Sequence, residues 1–211
     1  MGRSSEKSAG TEMKKMRLPQ DERRSQIIDV SMKIINEEGY ASFTTRRLAQ
    51  QIGISEPALY RHFSSKDEII ISILQKMDEL WSGIVSGIEK TPDLEEKLCL
   101  FVTGHFRYIE SNPDILAILF ADEYLRLNEN VRQQLFQVTD KRYSYLYKLL
   151  DGGIKSGKIK GSNPEALAII IIGAIRTTAL NWRNSNYAYS LRSFGEDICI
   201  NLTNMLLCKK K

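Results

Sequence analysis

Residues 44–63 read TTRRLAQQIGISEPALYRHF, and their side chains are of the kind that grip a nucleic-acid duplex. Arg46, Arg47, Arg61 and His62 bring cations and planar donors, Thr44, Thr45 and Tyr60 bring hydroxyls, and Glu56 brings an acceptor. Any of these donors can hold a phosphate, whereas base edges are read by forked groups such as guanidinium or by a methyl such as that of Ala58 against thymine. Lys66 follows where the next helical pattern begins. No nucleophile paired with a base, no phosphate-cradling glycine loop and no cluster of metal ligands occurs, so neither catalysis nor a cofactor or metal is expected.

Two short helices must carry this set. Thr44 can cap a helix whose inner side holds Leu48, Ala49 and Ile52, and Gly53 supplies the left-handed residue that ends it. Ser55 offers a second cap, Pro57 sits in the first turn where its missing N–H costs little, and Leu59 and Phe63 repeat at helical spacing. Upstream, Ile27, Val30 and Ile34 with Ile28, Met32 and Ile35 mark a helix over 21–38 closed by Gly39, and Tyr40 and Phe43 fill the joint of a three-helix head.

The head closely resembles the DNA-binding domain of the tetracycline-repressor (TetR) family. The resemblance runs from about residue 20 to 70 and is carried by Gly39-Tyr40, Thr44-Thr45, Leu48-Ala49, Gly53-Ile54-Ser55, Leu59-Tyr60, His62-Phe63 and Ser65-Lys66. It implies that Arg46 reaches guanine O6 and N7, with a phosphate clamp as the alternative. Thr45, Arg47, Arg61, His62 and Lys66 fall to phosphates. Tyr60 lies against the groove or donates to phosphate, and Glu56 either accepts from cytosine N4 or merely favours its helix N-terminus.

The net charge of +4 lies wholly in the head: residues 1–66 hold 12 basic and 8 acidic side chains, and the remainder holds 18 of each. Residues 1–19 are polar and Lys- and Ser-rich, read as a disordered arm that either follows the adjacent groove through Lys14, Lys15 and Arg17 or is a solvated tail. Cys99, Cys199 and Cys208 are too few and too widely spaced for a disulfide framework and read as small hydrophobes in a reducing cytosol. The longest apolar run, Ala166 to Ile175, falls short of a membrane span, and no signal-peptide core precedes the head, so a cytoplasmic protein is expected.

Beyond the head the pattern is helical throughout. Ser65 and Glu68 form a capping box for a long helix with the stripe Ile70, Ile73, Leu74, Met77, Trp81, Ile84 and Ile88. Further helices are expected over 93–111, 113–123, 128–156, 164–183 and 189–208, with Thr91-Pro92, Asn112-Pro113 and Asn163-Pro164 each read as a cap and first residue. The fold class is all-α, with an arm over 1–19, a DNA-binding domain over 20–66 and a helical-bundle ligand-binding and dimerisation domain over 67–211.

The run Ala166 to Ile175 is apolar all round, which demands burial on two sides, either against its own domain and a second body or at the centre of a large helical core. By resemblance the last two helices pair with those of a second copy, placing Ile170, Gly173, Ala174, Thr177, Leu191, Phe194, Ile198, Leu202 and Met205 in a homodimer interface. The resemblance also implies a pocket for a largely apolar small molecule, for which Trp81, Phe101, His105, Tyr108, Phe120, Tyr124, Tyr143, Tyr147 and Arg176 are candidates; plain core is the other reading of its aromatics. Arg176, directly after the apolar run, requires a partner such as Asp122, Glu123 or an anionic ligand. The function implied is a dimeric repressor released from a palindromic operator by its ligand. A nucleoid-associated or partner-recruiting DNA-binding protein is the alternative.

Overall fold

A computed structural model describes residues 19–121 and 128–208. The arm over 1–18, Tyr124, Asp122 and Glu123 lie outside the described residues. Helix α1 (Gln20–Glu38) buries Ile27, Ile34 and Ile35 and ends at Gly39, whose φ of 83° is one that a residue with Cβ rarely adopts. A 3-10 turn (Tyr40–Ser42) leads through buried Phe43 to α2 (Thr45–Ile52) and α3 (Glu56–Leu59), which close the head around Leu48 and Leu59.

Helix α4 (Lys66–Glu89) leaves the head and crosses the body. The Ser65 hydroxyl accepts from the Glu68 N–H, and the Glu68 carboxylate reaches back to the N–H of Ser64 at 2.6 Å, so the expected box closes one residue earlier. The body continues with α5 (Leu94–Ser111), α6 (Ile115–Leu119), α7 (Glu129–Lys155), α8 (Pro164–Asn184) and α9 (Leu191–Leu206).

Of the three X-Pro pairs only Asn163-Pro164 begins a helix, with Asn163 Oδ1 accepting from Ala166 N at 3.0 Å. Asp93, a stronger acceptor than Thr91, takes the cap of α5, and Asn112 ends α5 instead of starting α6. Among the described residues there is no strand, only one antiparallel bridge between Ile159 and Leu207 that fastens the turn after α7 to the end of α9.

The cysteine expectation is overturned. Cys99 on α5 and Cys199 on α9 form a disulfide across 100 residues, while Cys208 is free and exposed. Spacing along the chain gives no hint of it, because the helix crossing brings the two together. At the same crossing Gly195 lies so near Phe106 that an added Cβ would sit 2.3 Å from Phe106 Cδ2.

The apolar run belongs to a packed helix, as expected, although that helix is longer than the run. Helix α8 as a whole, 21 residues with a stretch of mean hydropathy 1.3, is long and apolar enough to cross a bilayer by length and composition. It packs instead against α5, α6 and α7 and keeps an apolar strip outside.

Candidate nucleic-acid interface and ligand cavity

The reading surface is set by caps and ties between short helices. Thr44 Oγ1 accepts from Arg47 N at 3.1 Å, Ser55 Oγ accepts from Ala58 N at 3.3 Å, and Gly53 ends α2 at φ 75°. Thr45 donates its hydroxyl to Glu56 Oε1 at 2.9 Å, locking α2 to α3. That contact occupies one oxygen of Glu56. Arg46 and Arg61 stand exposed and make no hydrogen bond or ion pair among the described residues, and Tyr60 is 50 % exposed beside them. Pro57 completes this edge.

Arg47 differs from the expectation. Its guanidinium forks onto Glu38 at 2.6 and 3.0 Å, so it braces α2 against the end of α1 instead of standing free for a phosphate. Lys66 lies 4.3 Å over the Tyr40 ring and 5.0 Å from that of Phe43, and burial lowers its pKa. The imidazole of His62 is pushed below its usual range by burial and by the fields of Arg23, Arg24 and Arg61. This cationic cluster favours phosphate oxygens. Arg24, missed in the sequence, donates to the His62 carbonyl and to Glu68 at 3.2 Å and covers the Phe63 ring at 4.0 Å, fixing the end of the reading helix.

In the body a cavity of about 160 Å³ opens between α4, α5, α6, α7 and α8. Trp81, Phe101, His105, Tyr108, Phe120 and Arg176 line it as expected, together with Met77, Leu116, Ile172 and Ile175. Tyr143 and Tyr147 do not: they stand on another side of α7, near Glu165 at the start of α8. Arg176 has its guanidinium 5.2 Å over the Phe120 ring.

Besides Arg176 and Thr139, three polar groups meet the apolar lining. The His105 ring lies 4.6 Å from both Trp81 and Phe101, and its Nδ1 donates to the Phe101 carbonyl at 2.7 Å, which leaves Nε2 as an acceptor. Burial lowers the His105 pKa to about 4, so the ring is neutral near pH 7. Burial also pushes the Tyr108 hydroxyl up to about 12. Arg142 is the third and was missed, although the sequence carries a signal for it. It falls on the helical stripe Val131, Leu135, Val138, Leu146 and Leu150, where every neighbour is buried.

The cavity shares Ile84 and Tyr108 with an open groove of about 440 Å³ between α4 and α5, walled by Gly83, Gly87 and Gly104 and carrying Arg107. Two elements bordering the cavity also touch the head. Helix α4 runs out of it, and α6 packs on α1, where Asn36 Nδ2 donates to Asp114 Oδ1 at 2.8 Å.

On α8 and α9 an apolar strip is left uncovered: Ile169 and Ile170 are 60 and 56 % exposed, Phe194 46 %, Ile200 57 % and Met205 69 %. Gly173 and Thr177 lie open within it, and Ala174, Ile198 and Leu202 at its border are half-buried. Leu191 is withdrawn from the expected interface, being wholly buried in its own chain; the stripe on α9 serves two sides at once. Ile169 and Ile200 take its place on the exposed side.

The family model described as bacterial regulatory proteins of the tetR family matches residues 27–73, and that of the C-terminal region of YsiA-like proteins matches 73–204. The chain is 28 % identical over 175 residues to the fatty acid metabolism regulator protein of Bacillus subtilis, covering 82 % of this chain and 90 % of that one. It is 30 % identical over 162 residues to the nucleoid occlusion factor SlmA of a Marinomonas species, covering 74 % and 82 %. The crystal structure of FadR from Bacillus subtilis in complex with stearoyl-CoA superposes with a TM-score of 0.73 at 26 % identity, over 85 % of this chain and 97 % of that one.

Proposed function

Because the chain belongs to the TetR family of DNA-binding transcriptional regulators and is not an enzyme, we propose that it acts as a cytoplasmic homodimer that represses from a palindromic operator and is released by a fatty-acyl ligand. The observation that carries this reading is the cavity, apolar apart from a few polar groups and walled by the two helices, α4 and α6, that hold the head. The FadR structure bound to stearoyl-CoA supports an acyl thioester as the ligand class.

The mechanism follows from this placement. Two heads enter successive major grooves on one face of DNA only when they sit about 34–36 Å apart. The exposed strip on α8 and α9 buries itself against its copy and fixes that separation. An acyl chain entering past Ile84 and Tyr108 wedges α4 and α6 from α5 and α8, the heads shift, and the register is lost. The ligand's leverage equals its difference in affinity between the two arrangements. The likeness to a nucleoid occlusion factor shares the head and the fold but leaves the cavity without a role, so the ligand-released reading is preferred.

The test is a mobility-shift titration on an inverted repeat selected from random DNA with the purified protein. Added dodecanoyl-CoA weakens binding at least tenfold and free coenzyme A does not. Equal effects of the two, or none, refute the ligand class.

A further inference from the structure

Arg142 is an unusual group to find on the wall of an apolar cavity. A guanidinium keeps its proton and offers five N–H donors. Here one nitrogen donates to the Val138 carbonyl at 3.1 Å, a turn back on α7, and another to the Met77 carbonyl of α4 at 3.1 Å. Its carbon lies 5.5 Å from the centre of the Trp81 ring, also on α4.

Among the described residues no carboxylate comes within ion-pair distance of it. Asp78, whose field reaches it, gives one oxygen to Lys141. The enclosed cation is therefore held by two carbonyls and a ring face, with donors left over beside space that a ligand can fill. Charge-assisted bonds to oxygen are the strong ones in such surroundings. Arg176, the other cation on the lining, is exposed and has interactions of its own.

We infer that Arg142 recognises the acyl oxygen of the ligand, a thioester carbonyl or a carboxylate at the end of an alkyl chain, and through Met77 transmits its arrival to α4. This rests on the ligand reading above and goes past it by naming the group that is read. An oxygen placed before the guanidinium takes the donors left over and draws the group toward itself, away from the Met77 carbonyl. Losing that tie loosens α4 from α7, so the polar contact, and not only the bulk of the chain, drives the head. Alkyl compounds without such an oxygen are then poor effectors even though they fill the same apolar space.

The experiment compares operator release by dodecanoyl-CoA, by dodecanoate and by S-dodecyl-CoA, the thioether that keeps the chain and the nucleotide but lacks the carbonyl. Wild-type protein responds to at least one acyl compound at a concentration about tenfold or more below that needed with the thioether. Arg142→Met brings the compounds within threefold of one another. The better acyl compound identifies the source of the oxygen, thioester or free acid.

A variant that keeps the tenfold preference overturns the inference, as does a wild-type protein that responds to acyl compounds and thioether alike. A wild-type protein that answers none of the three refutes the ligand reading itself, which separates the two failures. Melting temperature and ligand-free operator binding report whether Arg142→Met folds. If it does not, Arg142→Lys, which keeps the charge but not the fork, must show a reduced preference, and an undiminished one overturns the inference.

Discussion

At the scale of single residues, two neighbouring arginines have parted ways. Arg46 is exposed and uncommitted, while Arg47 is forked onto Glu38. Replacing Arg46 with alanine should therefore cost about 1–3 kcal/mol on the selected operator and little on random DNA, the mark of a base contact. The same change at Arg47 should weaken both sequences alike. Fluorescence anisotropy on the two DNAs checks this, and equal losses for Arg46→Ala would remove its reading role.

His105 makes a pH prediction. Its pKa falls from 6.5 to about 4 on burial, so the unfolded chain takes up the proton first as pH drops. Its contribution is intact above about pH 6.5 and is progressively lost towards pH 4, by on the order of 3 kcal/mol. Denaturation of wild type and His105→Gln across that window should show the slope difference, with the wild type losing more. Arg142 teaches how the cavity could have been read from sequence. A charge on an otherwise buried stripe is a stronger signal than the aromatics, which are shared between cavity and core, and it separates Tyr108 from Tyr143 and Tyr147 where residue type does not.

Among elements, the head was the most legible, because caps, a left-handed glycine and a proline fix α2 and α3 from local chemistry alone. Gly53, Ser55 and Pro57 act where the sequence places them. The body was legible as helices but not as contacts. The expected helix over 113–123 is reduced to Ile115–Leu119 in its described part, and nothing local announces that α6 will rest on α1. The disulfide belongs to this class, since only the crossing of α5 and α9 brings Cys99 to Cys199. Closing a loop of 100 residues contributes about 2–4 kcal/mol, and a cytosol would hold the pair reduced. Adding dithiothreitol to oxidised protein should lower its melting temperature by about 5–15 °C, and Cys199→Ser should remove that response. An unchanged melting curve on reduction would contradict the stabilising role.

The whole molecule is organised by what lies uncovered on α8 and α9. An apolar strip holding Ile169, Ile170, Phe194, Ile200 and Met205 is costly in water, and in the proposed dimer it is covered by its own copy. Ile170→Glu and Phe194→Glu should each convert the dimer to monomer in sedimentation and reduce operator affinity by at least tenfold while leaving helical content unchanged. A dimer that survives both substitutions would place the interface elsewhere. The central claim is that occupancy of the cavity is felt at the double helix. It is tested most directly by the distance between spin labels on the two heads, measured with and without dodecanoyl-CoA. The account predicts a change of several ångströms on adding the ligand, in step with loss of the operator complex, and none with free coenzyme A. An unchanged distance with the ligand bound would contradict it.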